Sequence, residues 1–281
     1  MREIKVKEIS EIIKKLSIEA SIIANDELIK KIKESEKIEK SPVGKAVLKQ
    51  LLKNMEIAKT DNIPICQDTG FTVIYMDIGQ DVRFIGGALQ EAVNKGVADG
   101  YIQGYLRKSI IKDPITNPKN TGDNTPAILH THIVPGDKVK ITLLPKGGGS
   151  ENMSRLKMMK PADGVDGIKK FVIETVKIAG ANPCPPTIIG VGIGGTFDYV
   201  AYLSKKAIIR KFGERNKDKQ IAKYETEWLE EINKLGIGPA GLGGNVTSLE
   251  LFIEVFPRHI ATYPVAVNIQ CHAARTKTYI L

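Results

Sequence analysis

Cysteine, tryptophan and histidine are scarce in this 281-residue chain, with three, one and four copies respectively. Three cysteines cannot form the paired framework of a small secreted scaffold, and an odd number points to free or ligand-bound thiols. No apolar stretch approaches the roughly 18–20 residues needed to span a bilayer. The opening Met1-Arg-Glu-Ile-Lys-Val-Lys-Glu alternates charge with apolar residues and lacks the apolar core of a secretory leader. A soluble, cytoplasmic protein with no membrane partner is expected. Arginine is rare too, supplying only 8 of 41 basic residues against 32 acids. The net charge of +9 invites a nucleic-acid reading. Lysine alternates with glutamate through Lys30–Lys40, however, which makes a solvated, ion-paired face instead of a phosphate-tracking stripe. No nucleic-acid partner is expected. The surplus positive charge suits attraction of a small anionic substrate.

What is present reads as an α+β protein, with mixed or antiparallel sheets covered by helices and a helical N-terminal layer. The expected unit is a single domain over 1–281, helical over 1–62, with an α+β core over 63–281. Apolar residues from Ile9 recur at three- and four-residue steps. A second helix follows Asn25-Asp26, and Ser41-Pro42 caps a third running to about Ala58. Phe71–Ile78 is β-branched and aromatic, hence a strand. Residues 84–111 read as helical, and 113–124 as a Pro-, Asn- and Gly-rich loop. Ala127–Val134 and Lys138–Leu144 flank Pro135-Gly136-Asp137 and predict a β-hairpin. Helices over 164–179, 196–210 and 221–235 then alternate with strands over 187–193, 249–256 and 263–270.

Glycine is concentrated where backbone could approach a ligand, at Gly147-Gly148-Gly149 and between Gly236 and Gly244. Gly190-x-Gly192-x-Gly194 falls inside a strand and lacks the spacing of a dinucleotide fingerprint. Each cysteine sits at the edge of a rigid element. Cys66 precedes Gln67-Asp68-Thr-Gly, Cys184 lies between prolines in Asn182-Pro-Cys-Pro-Pro, and Cys271 ends the last long strand before His272. Packing alone does not call for proline brackets, whereas a sulfur that must point one way gains from them. No C-x-x-C pair exists, so spacing by itself names no metal. If the three thiolates converge, their softness favours zinc or an iron–sulfur cluster. A four-iron cluster on three cysteines keeps one iron without a protein ligand, able to act as a Lewis acid.

Cys66-Gln-Asp-Thr-Gly, Gly122-Asp-Asn-Thr-Pro-Ala with His130-Thr-His, Lys146-Gly-Gly-Gly-Ser-Glu-Asn, Gly190-Val-Gly-Ile-Gly-Gly-Thr, Gly243-Gly-Asn-Val-Thr and Cys271-His272 occur in this order. Together they resemble the class I fumarate hydratase and L-tartrate dehydratase family, and more narrowly the α subunit of its two-subunit forms. The likeness covers Ile63 to the C-terminus. It implies a [4Fe–4S] cluster on Cys66, Cys184 and Cys271, and a dicarboxylate substrate hydrated or dehydrated beside it. It also implies Gln67, Asp68 and Arg107 as substrate contacts, Gly149 as a backbone donor, and Asp68 and His259 as catalytic groups. The chemistry asks for such residues: a planar guanidinium binds both oxygens of a carboxylate. His130 and His132 share one strand face, and His272 adjoins a proposed ligand.

The resemblance places the proton-abstracting base and further cations beyond the last cysteine, and this chain stops ten residues later. A separate β subunit is therefore expected, in an α2β2 assembly. Fumarate hydration to malate is the leading expectation and L-tartrate dehydration the alternative within the family. A non-catalytic iron–sulfur or zinc protein is a more distant one.

Overall fold

The computed structural model describes all 281 residues. In chain order the elements are β1 (Arg2–Lys5), α1 (Val6–Ile22), α2 (Asp26–Ile38), α3 (Pro42–Asp61), β2 (Phe71–Gly79), β3 (Val82–Ile85), α4 (Leu89–Gln103), β4 (Ile128–Val134) and β5 (Val139–Lys146). There follow α5 (Gly148–Glu151), β6 (Arg155–Met159), α6 (Gly164–Ala179), β7 (Thr187–Gly195), α7 (Phe197–Ala207), α8 (Lys219–Asn233), β8 (Ser248–Arg258), β9 (Tyr263–Gln270) and β10 (Lys277–Ile280). The α+β expectation holds, with mixed sheets. Two compact units emerge: unit 1 comprises Met1–Asn25, Met55–Gly148 and Arg275–Leu281, and unit 2 comprises Asp26–Asn54 and Gly149–Ala274.

Unit 1 is built on a four-stranded sheet in the order β10-β5-β2-β4, with a parallel β1-β3 pair beside it in sequence. β2 is central because it is buried nearly throughout and can satisfy both edges only between two neighbours. It runs parallel to β4 and antiparallel to β5. The expected hairpin of residues 127–144 is therefore overturned: β4 and β5 lie on opposite sides of β2. Pro135-Gly136-Asp137 instead crosses the end of β2, where the Gly79 N–H meets the Lys138 carbonyl at 2.8 Å. Helices α1 and α4 pack through Ile9, Ile13, Leu16, Val93 and Val97, all buried in one core with Ile74 and Met76. The helix expected over 84–111 is shorter, since β3 occupies its start and the chain leaves the helix at Gly104.

Unit 2 repeats this plan. Its sheet order is β6-β9-β7-β8, with β7 parallel to β8 and antiparallel to β9. Thus β7 takes the place of β2, β8 of β4, β9 of β5 and the antiparallel edge β6 of β10. Val191, Leu251 and Val267 face a core closed by Ile168 and Val172 of α6 and Trp228 of α8. The glycines of β7 serve close packing: a Cβ on Gly190 would stand 2.1 Å from the Ser204 carbonyl oxygen, and on Gly192 2.3 Å from that of Val200. Helix α7 presses its backbone onto the strand, which agrees with rejecting a dinucleotide loop.

Candidate functional site

In both units the segments singled out by sequence gather at the end of the sheet where the central strand begins and its antiparallel neighbour finishes. In unit 1 that end holds Cys66–Gly70 ahead of β2, and Lys146-Gly147-Gly148 after β5, with Phe71 paired to Lys146. The Asp68 carboxylate is fixed by two backbone donors, Gly70 N–H to Oδ1 at 3.0 Å and Gly148 N–H to Oδ2 at 2.8 Å. The Cys66 thiol donates to Gln67 Oε1 at 3.6 Å, and Gln67 itself is exposed.

Arg107 does not lie on a helix as expected. The helix stops at Gln103, and Arg107 stands exposed in the extended stretch that follows. Its carbonyl accepts the Thr69 hydroxyl proton at 2.8 Å, which ties this stretch to the Cys66–Gly70 loop. Asn124 braces both: its amide donates to the Gly70 carbonyl at 3.1 Å and accepts the Ser109 N–H at 2.8 Å. Unit 1 thus brings together Cys66, Gln67, Asp68 and the main chain of Arg107.

Tyr101 was not visible from sequence as part of this arrangement. Its buried hydroxyl donates to the Thr69 carbonyl at 2.7 Å and receives Thr72 Oγ1 at 3.3 Å. Burial pushes its pKa up, so the hydroxyl stays protonated as a donor. A tyrosine at a glycine-flanked helix position reads as ordinary core, and no local pattern distinguishes it. His130 stacks on Tyr75 with ring centroids 5.1 Å apart, and His132 Nδ1 stands 3.7 Å from Asp77 Oδ1, so both belong to the polar side of β4.

In unit 2 the equivalent end holds Cys184 ahead of β7 and Cys271 after β9. The Cys184 carbonyl lies 2.9 Å from the His272 ring Nδ1 and accepts the His272 N–H at 3.4 Å, which brings the two cysteine-bearing segments side by side. Cys184 is exposed and has φ of 55°, a left-handed conformation that disfavours any residue with a Cβ. Such strain persists where the surroundings enforce it, and here prolines enclose the residue on both sides. Gly149 is close by, since a Cβ there would stand 3.6 Å from the Asn182 carbonyl oxygen.

His259 is placed elsewhere. It follows β8 in an exposed turn, where its Nδ1 accepts the Ala261 N–H at 3.1 Å. It precedes β9 and Cys271 follows β9, so eight strand residues, roughly 26 Å at 3.3 Å each, separate the two ends. Within one chain His259 does not join Cys184 and Cys271.

None of the three cysteines is in a disulfide. No group of three or more His, Cys, Asp or Glu side chains is gathered closely enough to hold a single metal ion. No helix is long and apolar enough to cross a membrane.

Comparison with known proteins gives a consistent result. A family model described as fumarate hydratase (fumerase) matches residues 10–280. A Methanocaldococcus jannaschii protein, named provisionally as L(+)-tartrate dehydratase subunit alpha, is 42% identical over 276 residues, covering 95% of each chain. The L(+)-tartrate dehydratase subunit alpha of Escherichia coli O157:H7 is 33% identical over 279 residues, covering 98% of this chain and 91% of its own. The protein of the same name from Shigella sonnei matches to the same extent.

Proposed function

The chain belongs to the class I fumarate hydratase and tartrate dehydratase α family, and we propose that it is the α subunit of a hydro-lyase acting on a four-carbon hydroxy dicarboxylate. Sequence alone put fumarate first. The names of the similar proteins favour L(+)-tartrate, and that substrate now takes the lead, with malate and fumarate second. The observation that carries the reading is the joining of the Cys184 segment to the segment after Cys271, through His272, at one sheet end of unit 2, with Cys184 held exposed at a positive φ.

The donor set fits an iron–sulfur cluster. Three cysteines outside any disulfide offer soft sulfur donors, the kind such a cluster takes at its corners. Cys66, Cys184 and Cys271 would hold it. When bound, a [4Fe–4S] group with one iron lacking a protein ligand supplies a Lewis acid for the departing or arriving hydroxyl. The chain's own residues then have separable tasks. Asp68, immobilised by two amides, presents its carboxylate lone pairs without reorganisation, as a positioned acceptor for a substrate hydroxyl or a proton. Gln67 offers an amide donor and acceptor beside Cys66. The exposed Arg107 guanidinium suits a substrate carboxylate, and the Gly149 N–H can add a backbone hydrogen bond. His259, at the far end of β9, takes part only if a second chain carries it there.

The α designation in the relatives' names supports a separate β subunit. We assign to it the proton-abstracting base and the remaining cations, in an α2β2 complex. The test is anaerobic reconstitution with iron and sulfide, with and without the β chain, followed by rates on L(+)-tartrate, L-malate and fumarate. Turnover of L(+)-tartrate above the others, only with both chains and only with the cluster's visible absorption, is the expected result. Full turnover by the α chain alone would overturn the two-subunit reading, and malate preference would restore the fumarate one.

A further inference from the structure

Arg275 opens the last segment of unit 1, four residues beyond Cys271, and is only 1% exposed. Its Nε and Nη1 are buried without a hydrogen-bond partner. A guanidinium stays charged at any working pH, and an interior charge without an anion is costly. Asp68 shares its neighbourhood, since both charges act on the Tyr101 hydroxyl. Yet Asp68 is held by the Gly70 and Gly148 amides, and Nε and Nη1 remain unpaired.

Gly147 lies between the two groups. A Cβ there would stand 3.0 Å from Asp68 Oδ2 and 3.9 Å from Arg275 Nη2. Its φ is not positive, so glycine is needed for space and not for conformation. Glycine therefore keeps side-chain atoms out from between a carboxylate on one side and the guanidinium Nη2 on the other. That pairing matches one kind of molecular end. An α-hydroxy carboxylate carries a hydroxyl donor and an anionic acceptor on adjacent carbons.

We propose that Arg275 is a substrate-binding residue that takes the carboxylate of a 2-hydroxy acid across Gly147, while Asp68 accepts the adjacent hydroxyl. The proposal rests on the hydro-lyase reading and adds to it the group that reads the hydroxy-acid end. It also gives the buried Nε and Nη1 the acceptor they lack. Arg107, being exposed, is left for the other carboxylate.

The test uses the reconstituted complex of both chains, with wild-type turnover measured first. Arg275→Gln should raise KM on the order of tenfold or more, change kcat less, and leave the cluster's visible absorption intact. Arg275→Lys should recover part of the loss, because a point charge replaces the fork only partly. Competitive inhibition by succinate and by its monoamide separates binding from a structural role. Wild type should prefer the dicarboxylate, and Arg275→Gln should lose that preference. Gly147→Ala should raise KM with the charge still in place. An active wild type whose Arg275→Gln and Gly147→Ala forms keep native KM and inhibitor preference overturns the assignment alone. Should Arg275→Gln fail to fold, an Arg275→Lys enzyme with native KM and preference also overturns it. A wild-type complex inert toward tartrate, malate and fumarate overturns the hydro-lyase reading and this assignment together.

Discussion

His272 holds the Cys184 carbonyl twice, through its main-chain N–H and through its ring Nδ1. The carbonyl can only accept, so the ring carries its proton on Nδ1. This clamp joins the segment before β7 to the segment after β9 without involving either thiol. Replacing His272 by Phe should cost about 1 kcal/mol of local stability. It should also speed loss of the visible iron–sulfur absorption under a chelator several-fold. An unaltered loss rate would show that the clamp does not position the cysteines.

Cys184→Ser tests ligation separately from folding. The exposed side chain contributes little packing, so the melting temperature should move by no more than about 2 °C. The reconstituted protein should nevertheless be colourless. Retention of the wild-type absorption per chain would remove Cys184 from the ligand set.

Tyr101→Phe leaves the Thr69 carbonyl, in the buried floor of the Cys66–Gly70 loop, without its 2.7 Å donor. The expected cost is about 1–2 kcal/mol, read as a lower denaturation midpoint with unchanged slope. Faster amide exchange at Thr69 and Gly70 should accompany it. A midpoint equal to wild type would mean that the loop is held without the hydroxyl.

Glu39 links the α2–α3 connection to the glycine-rich loop, since its carboxylate accepts the N–H groups of Lys40, Ser41, Asn245 and Val246. Burial raises its pKa, but the four amides outweigh burial and hold it below the ordinary 4.5. A depressed folded-state value contributes stability that is fully present above 4.5 and is lost as pH falls below it. Glu39→Gln should therefore destabilise by about 2 kcal/mol at pH 7, and the gap to wild type should narrow on acidification below pH 4.5. Thermal melts across that range check the sign. A gap that widens in acid would contradict it.

Gly190→Ala should destabilise by about 1–3 kcal/mol through overpacking, because the new methyl meets the α7 backbone, which cannot give way as a side chain tip could. Circular dichroism melts would detect it, and an unchanged midpoint would mean that α7 moves off the strand freely.

Periodicity revealed the long helices because each buries one face for three or more turns, as in α1, α6 and α8. It also revealed β2, β7, β8 and β9, whose β-branched runs are long enough to stand out. It missed β1, β3, β6 and β10, which have only four or five residues and no alternation to count. It misjudged Pro135-Gly136-Asp137, since a turn's chemistry reports a reversal of direction but not which strand lies between its arms. The position of each cysteine at the edge of a rigid element was legible through its proline and glycine setting. Tyr101 and Arg275 were not, because their importance comes from backbone carbonyls and a charge brought near by distant segments. His259 is the opposite case: family likeness alone named it, and the geometry sets it a strand's length from Cys271.

The interleaving of the two units bears on how the chain is made. Strand β10 caps the outer edge of β5, yet residues 277–280 leave the ribosome more than 120 positions after that edge has been synthesised. Until then one flank of the sheet displays bare amides and carbonyls, the exposed template on which nascent chains stick to one another. Trimming a few residues from the tail would make that passing hazard permanent, so a harmless-looking C-terminal truncation should yield inclusion bodies and not a smaller soluble protein.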